Sequence, residues 1–110
     1  MSRGDELRLV DIREACTEIE VITGLGMPHF TENLIAQRAT ERLLEIVGEA
    51  ANLLSDETKG QYPDVPWRDI TSLRILLAHH YFRVDSNQIW EIAVTSIPQL
   101  VQSLRGVSSD

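Results

Sequence analysis

The sequence predicts an all-α protein: an antiparallel four-helix bundle with a short fifth C-terminal helix. Apolar residues recur at steps of three and four along four segments, which is the spacing of one face of an α-helix. No segment shows the strict alternation of apolar and polar residues that half-buried strands need. Of the 110 residues, 43% are hydrophobic but only 5% are aromatic. We therefore expect one domain spanning residues 1–110, with a core mainly of Leu, Ile, Val and Ala.

The first helix is predicted over residues 5–23. Its apolar stripe consists of Leu9, Ile12, Cys16 and Ile19. We expect Gly24 and Gly26 to end the helix, and Pro28 to keep it from resuming before Phe30.

The second helix is predicted over residues 31–54, with Thr31 as its N-cap residue. Gly48 stands in its middle, where glycine costs about 1 kcal/mol relative to alanine. Close approach of another backbone would explain that glycine. Residues 55–66, which include Pro63 and Pro66, are predicted to form a loop.

The third helix is predicted to open at Pro66 and Trp67 and to end near Arg83. Asp85 or Ser86 can cap the fourth helix. Pro98 is expected to break or kink that helix. A last short helix would then use Leu100, Val101 and Leu104.

Composition restricts the classes of function. The formal net charge is −7, so a bulk electrostatic grip on nucleic acid is not expected, and any RNA must be held by a local basic site. No apolar segment approaches the ~20 residues that span a bilayer, so no membrane partner is expected. The lone Cys16 cannot form an internal disulfide and is interpreted as a buried apolar group, which favours a cytoplasmic setting. No residues show metal-ligand spacing, so neither a metal nor another cofactor is expected.

The most informative stretch places Arg74, His79, His80 and Tyr81 on the predicted third helix. Seven residues bring Tyr81 back to within about 20° of Arg74, so these two share a face. His79 lies about 140° from Arg74 around the helix axis. Arg74 and His79 can flank a common edge or meet the same residues of a second copy across a two-fold axis.

These residue types fit phosphoryl transfer without a metal. In RNA the 2′-hydroxyl can attack the neighbouring phosphate, and a histidine can remove that proton or protonate the leaving oxygen. An arginine can hold the phosphate with its planar guanidinium. From spacing alone, the alternative is that Arg74 and His79 complete a surface hydrogen-bond network.

The chain resembles the HepT branch of the HEPN superfamily. Arg74, His79 and Tyr81 match that family's R-x4-H-x-Y motif. Residues 38–50 resemble its second-helix signature, residues 63–67 its turn into the motif helix, and Trp90 with residues 97–100 its ending. The likeness covers residues 9–104.

The resemblance implies a homodimer in which arginine and histidine from both protomers form a metal-independent ribonuclease site. It implies that Arg74 and His79 are catalytic. It also implies a toxin paired with a minimal nucleotidyltransferase antitoxin, which transfers AMP to Tyr81 and silences RNA cleavage.

The sequence departs from the family pattern at Ile75, where Asn or Asp is common directly after the arginine. His80 also stands where an acidic residue is frequent. Two other interpretations therefore stay open: a catalytically weak or inactive interaction module that binds the nucleotidyltransferase, and a nucleotide-binding regulator.

Overall fold

The computed structural model describes residues 3–78 and 85–105. Within these ranges every regular element is helical and there is no strand, which confirms the all-α prediction. The elements are α1 (Arg3–Thr23), α2 (Met27–Glu32), α3 (Leu34–Leu53), α4 (Asp56–Gly60), α5 (Trp67–Ala78), α6 (Ser86–Glu91), a π-helical turn (Ile92–Ser96) and α7 (Ile97–Arg105).

Helix α3 lies at the centre of the molecule and packs against both α1 and α5. The C-terminal π turn and α7 pack against α1. The predicted stripe of α1 is confirmed, since all four of its residues are buried. Leu44, Val47 and Ala51 of α3 are fully buried with them. The core is thus aliphatic, as the composition predicts.

Glycine ends α1 as predicted. The Gly24 backbone N–H donates to the Glu20 carbonyl at 2.9 Å, and Gly26 has a φ of 97°, which favours glycine. The expectation for Pro28 is wrong, because α2 begins at Met27 and includes Pro28. Proline is tolerated in a first helical turn, where its missing N–H would have no partner anyway.

The predicted N-cap at Thr31 is also wrong. Asn33, in an extended conformation, separates α2 from α3, and its side-chain Oδ1 accepts from the Ala36 N–H at 2.9 Å. Gln37 stabilises the junction between α2 and α3, because its Nε2 donates to the Phe30 and Thr31 carbonyls. Asn33, and not Thr31, thus caps the central helix.

The predicted loop over residues 55–66 contains the one-turn helix α4. Ser55 caps it, since its Oγ accepts from the Thr58 N–H at 3.2 Å. The buried carboxylate of Asp5 accepts from the Ser55 N–H at 3.0 Å and from the Ser55 and Thr58 hydroxyls, each at 2.7 Å. This Asp5 cluster joins the start of α1 to the start of α4.

Pro98 does not break the last helix. Residues 86–105 form one continuous helix in which α6, the π turn and α7 follow without interruption. The Ile97 N–H donates to the Ile92 carbonyl, five residues earlier, instead of to the usual fourth. This wider turn comes just before a proline, which would otherwise clash with the carbonyl four residues before it. Asp85 caps the helix as predicted, accepting from the Asn87 N–H at 2.9 Å.

Candidate functional site around Arg74

Arg74 is placed by a close contact between α3 and α5. A Cβ atom added to Gly48 would lie 2.7 Å from the Arg74 backbone N and 3.2 Å from the Ile70 carbonyl oxygen. Both are backbone atoms, which cannot move without shifting α5. The predicted close approach at Gly48 is therefore confirmed, and the partner is the backbone of the candidate catalytic arginine itself.

The Arg74 side chain is half-buried, and its Nε lies below the surface with no hydrogen-bond partner in the described part of the chain. Leaving a buried donor unpaired costs about 1–3 kcal/mol. A guanidinium offers five N–H donors in a planar fork that matches a phosphate. The arrangement can thus bind an anion through a donor that the protein itself leaves unsatisfied.

His79, His80, Tyr81 and Arg83 lie outside the described residues. The described part of α5 ends at Ala78, directly before His79 in sequence. The pairing of Arg74 with His79 and the role of Tyr81 therefore stay predictions. Ile75, which departs from the family pattern, lies on the surface with 49% of its area exposed.

Among the described residues, three arginines form ion pairs, whereas Arg13, Arg68, Arg74 and Arg105 form none. Arg8 on α1 pairs with Asp11 at 3.8 Å, and on α3 Arg38 pairs with Glu41 and Arg42 with Glu45, at 3.4 and 3.1 Å. Arg74 has no such ion pair within residues 3–78 and 85–105. Its positive charge is thus not neutralised locally, despite the acidic total, as a local basic site requires.

Cys16 is confirmed as a buried residue. Burial, and then the negative charge of Glu20, raise the pKa of the Cys16 thiol to about 12. Because the thiolate is the nucleophilic form, this thiol is inert at neutral pH.

The described residues contain no group of three His, Cys, Asp or Glu side chains that could hold a metal ion. No helix within them is both long and apolar enough to cross a membrane.

The fold and site define a small all-α protein in which an arginine with no ion pair among the described residues lies at a helix–helix contact. A family model described as "Ribonuclease HepT-like" matches residues 12–107. The chain therefore belongs to the HepT-like ribonuclease family.

Curated relatives agree with this family. A protein of Thermococcus cleftensis named "Probable ribonuclease HepT" is 36% identical over 101 residues, which cover 91% of this chain and 92% of that protein. Two others carry RNase in their names. One, from Methanocaldococcus jannaschii, is 32% identical over 103 residues, which cover 93% of this chain and 85% of that protein. The other, from Caldanaerobacter subterraneus, is 35% identical over 81% of this chain and 80% of its own. No solved structure matches the chain.

Proposed function

We propose that this protein is a metal-independent endoribonuclease and the toxin of a toxin–antitoxin pair. The observation that carries the proposal is Arg74, whose buried Nε has no partner among the described residues and whose backbone is fixed against Gly48. An arginine whose backbone is fixed in this way and whose guanidinium keeps unsatisfied donors can stabilise charge that develops on a phosphate. Ribonuclease names among relatives that cover most of the chain support the same activity.

In this proposal the reaction uses the RNA's own 2′-hydroxyl as nucleophile. His79 accepts the hydroxyl proton while the 2′ oxygen forms a bond to phosphorus, and the bond from phosphorus to the 5′ oxygen breaks. The leaving 5′ oxygen takes a proton, for which a protonated histidine of the partner subunit is a suitable donor. Arg74 holds the phosphate and stabilises its growing negative charge. The products are a 2′,3′-cyclic phosphate and a 5′-hydroxyl.

A homodimer completes this site, with arginine and histidine contributed by both copies. Several large apolar side chains are exposed among the described residues and are available for self-association. Those at the α1–α2 turn and the start of α3 are Leu25, Met27, Leu34 and Ile35.

In this proposal, modification of Tyr81 inhibits RNA cleavage. A separation of seven residues places Tyr81 and Arg74 on one face of a continuous helix. AMP attached to Tyr81 by a minimal nucleotidyltransferase antitoxin would bring a phosphate to the arginine and compete with the RNA backbone for its charge. Co-expression with that partner is expected to add the mass of one AMP per chain, and a Tyr81→Phe variant should stay unmodified.

The experiment that tests the nuclease is cleavage of total cellular RNA in the presence of a metal chelator. Wild type is expected to cleave, whereas Arg74→Ala and His79→Ala are expected to be inactive while they stay folded. Cleavage only without the chelator would contradict metal independence. Cleavage by either variant at the wild-type rate would contradict its catalytic role.

A second candidate is a catalytically inactive interaction module that binds the nucleotidyltransferase. Ile75 favours it, because an exposed isoleucine stands where the family commonly has Asn or Asp. Under this alternative a folded, dimeric and unmodified wild type cleaves no RNA but binds its partner.

A further inference from the structure

A second basic feature lies on α5, outside the residues that the motif singles out. A surface groove of about 340 Å³ is lined by Lys59, Trp67, Arg68, Thr71, Ser72 and Ile75. Arg68, Thr71, Ser72 and Ile75 follow one another at helical spacing, so they form a single line along α5. The groove therefore runs along the helix and ends at Ile75, which follows Arg74 in the sequence and lies about 100° from it around the helix axis.

Trp67 brings Lys59 to this line. The indole Nε1–H of Trp67 donates to the Lys59 carbonyl at 3.0 Å and to the Tyr62 carbonyl at 3.2 Å. These hydrogen bonds connect the end of α4 and Tyr62 to the first turn of α5. Lys59 thus reaches a helix that begins eight residues later in the chain.

Two cations, Lys59 and Arg68, line the groove. In contrast to Arg8, Arg38 and Arg42, neither Lys59 nor Arg68 forms an ion pair within residues 3–78 and 85–105. Two free cations in a chain of net charge −7 form a site that favours an extended anion. Beside them, Ile75 adds an exposed apolar surface.

We propose that this groove binds single-stranded RNA next to the cleaved phosphate, with Lys59 and Arg68 each contacting a backbone phosphate. Proteins bind single-stranded nucleic acid through cations along its backbone and through aromatic side chains on which its bases stack. Trp67 is the aromatic side chain in the groove lining. The exposed Ile75 adds an aliphatic contact beside it, which gives a role to the residue that departs from the family pattern. The inference rests on the proposed ribonuclease function, because RNA is the anion that reaches Arg74.

The test is equilibrium binding of a fully 2′-O-methylated RNA oligonucleotide, which lacks the attacking hydroxyl and cannot be cleaved by this route. A Lys59→Gln/Arg68→Gln variant is compared with wild type over a series of salt concentrations. The matched control is Arg8→Gln/Arg13→Gln, which removes the same charge from α1, a helix that packs on α3. Because Arg68 is exposed and Lys59 half-buried, the groove variant should fold, and its thermal unfolding checks this.

The groove variant is expected to bind about tenfold more weakly at low salt, since it loses two phosphate contacts. Each contact to single-stranded nucleic acid contributes about 0.7 to the slope of log affinity against log salt, so the slope should become shallower by about 1.4. The control should keep the wild-type slope.

Three results would overturn the groove assignment. They are an unchanged affinity and slope in the groove variant, an equal loss in the control, and no binding of this RNA by wild type. If the groove variant instead retains RNA affinity but loses the affinity of an acidic protein partner, the groove binds protein and not RNA. The outcome is separable from the proposed function, since wild type that binds RNA through the groove without cleaving it contradicts only the nuclease.

Discussion

The contact between Gly48 and Arg74 could be predicted from the sequence only in part. A mid-helix glycine predicted close backbone approach, and the motif singled out Arg74 on another helix. Sequence could not predict that the two meet, because their contact depends on how α3 and α5 cross. Nor could it predict the unpaired Nε, which depends on every neighbour that fails to reach it.

A Gly48→Ala substitution tests this contact. Alanine in a helix normally adds up to about 1 kcal/mol of stability relative to glycine. Here the methyl group would meet backbone atoms of α5, so we expect a net loss of about 1–3 kcal/mol from overpacking, measured by urea unfolding. Gly60→Ala is the matched control, because a Cβ there meets nothing within 4 Å. A Gly48→Ala protein as stable as the Gly60→Ala protein would refute the close contact.

Cys16 gives a pH-dependent prediction. Its pKa is raised from 9.0 to about 12 in the folded protein, so above pH 9.0 the unfolded chain loses the thiol proton while the folded chain keeps it. The contribution of the neutral thiol to the free energy of unfolding is therefore fully present below pH 9.0. It falls as the pH rises towards 12, by up to about 1.4 kcal/mol per pH unit. Urea unfolding at a series of alkaline pH values should show a steeper decline for wild type than for Cys16→Ala. Parallel declines would contradict a buried neutral thiol.

At the scale of elements, apolar periodicity predicted α1 and most of α3 but neither the short helices nor the uninterrupted helix over residues 86–105. Helix α4 depends on Ser55, whose N–H and hydroxyl both bind Asp5, 50 residues away. Before Pro98 the helix widens into a π turn instead of breaking, and Ile97, Leu100 and Leu104 of its continuation are buried in the core. Such outcomes are decided by tertiary packing, which periodicity within one segment does not contain.

Asp5→Ala is predicted to loosen the junction between α1 and α4. It removes a buried carboxylate and leaves the Ser55 N–H and the Ser55 and Thr58 hydroxyls without that acceptor. We expect unfolding free energy to fall by about 2–3 kcal/mol, measured by urea titration. On the same helix, Asp11→Ala breaks only the exposed pair with Arg8 and should cost less than about 1 kcal/mol. Equal effects of the two variants would show that the Asp5 cluster adds nothing beyond a surface charge.

At the scale of the whole molecule, the composite site that we propose requires a second copy of the chain. Sedimentation equilibrium is expected to give twice the 12.4 kDa mass of one chain. Arg74→Ala should give the same value, so that loss of cleavage in this variant is not loss of assembly. A wild type that sediments as a monomer while cleaving RNA would contradict the composite site but not the nuclease.

We propose that the Arg74 guanidinium stabilises the reacting phosphate, and the single-turnover cleavage rate of Arg74→Lys tests this role. Lysine keeps the charge and the backbone contact at Gly48 but lacks the planar fork and the buried Nε–H. We expect Arg74→Lys to fold and to bind 2′-O-methylated RNA. It should cleave unmodified RNA about 10²–10³ times more slowly than wild type. Cleavage by Arg74→Lys at the wild-type rate would contradict the claim, because charge alone would then suffice and the unpaired Nε would have no role.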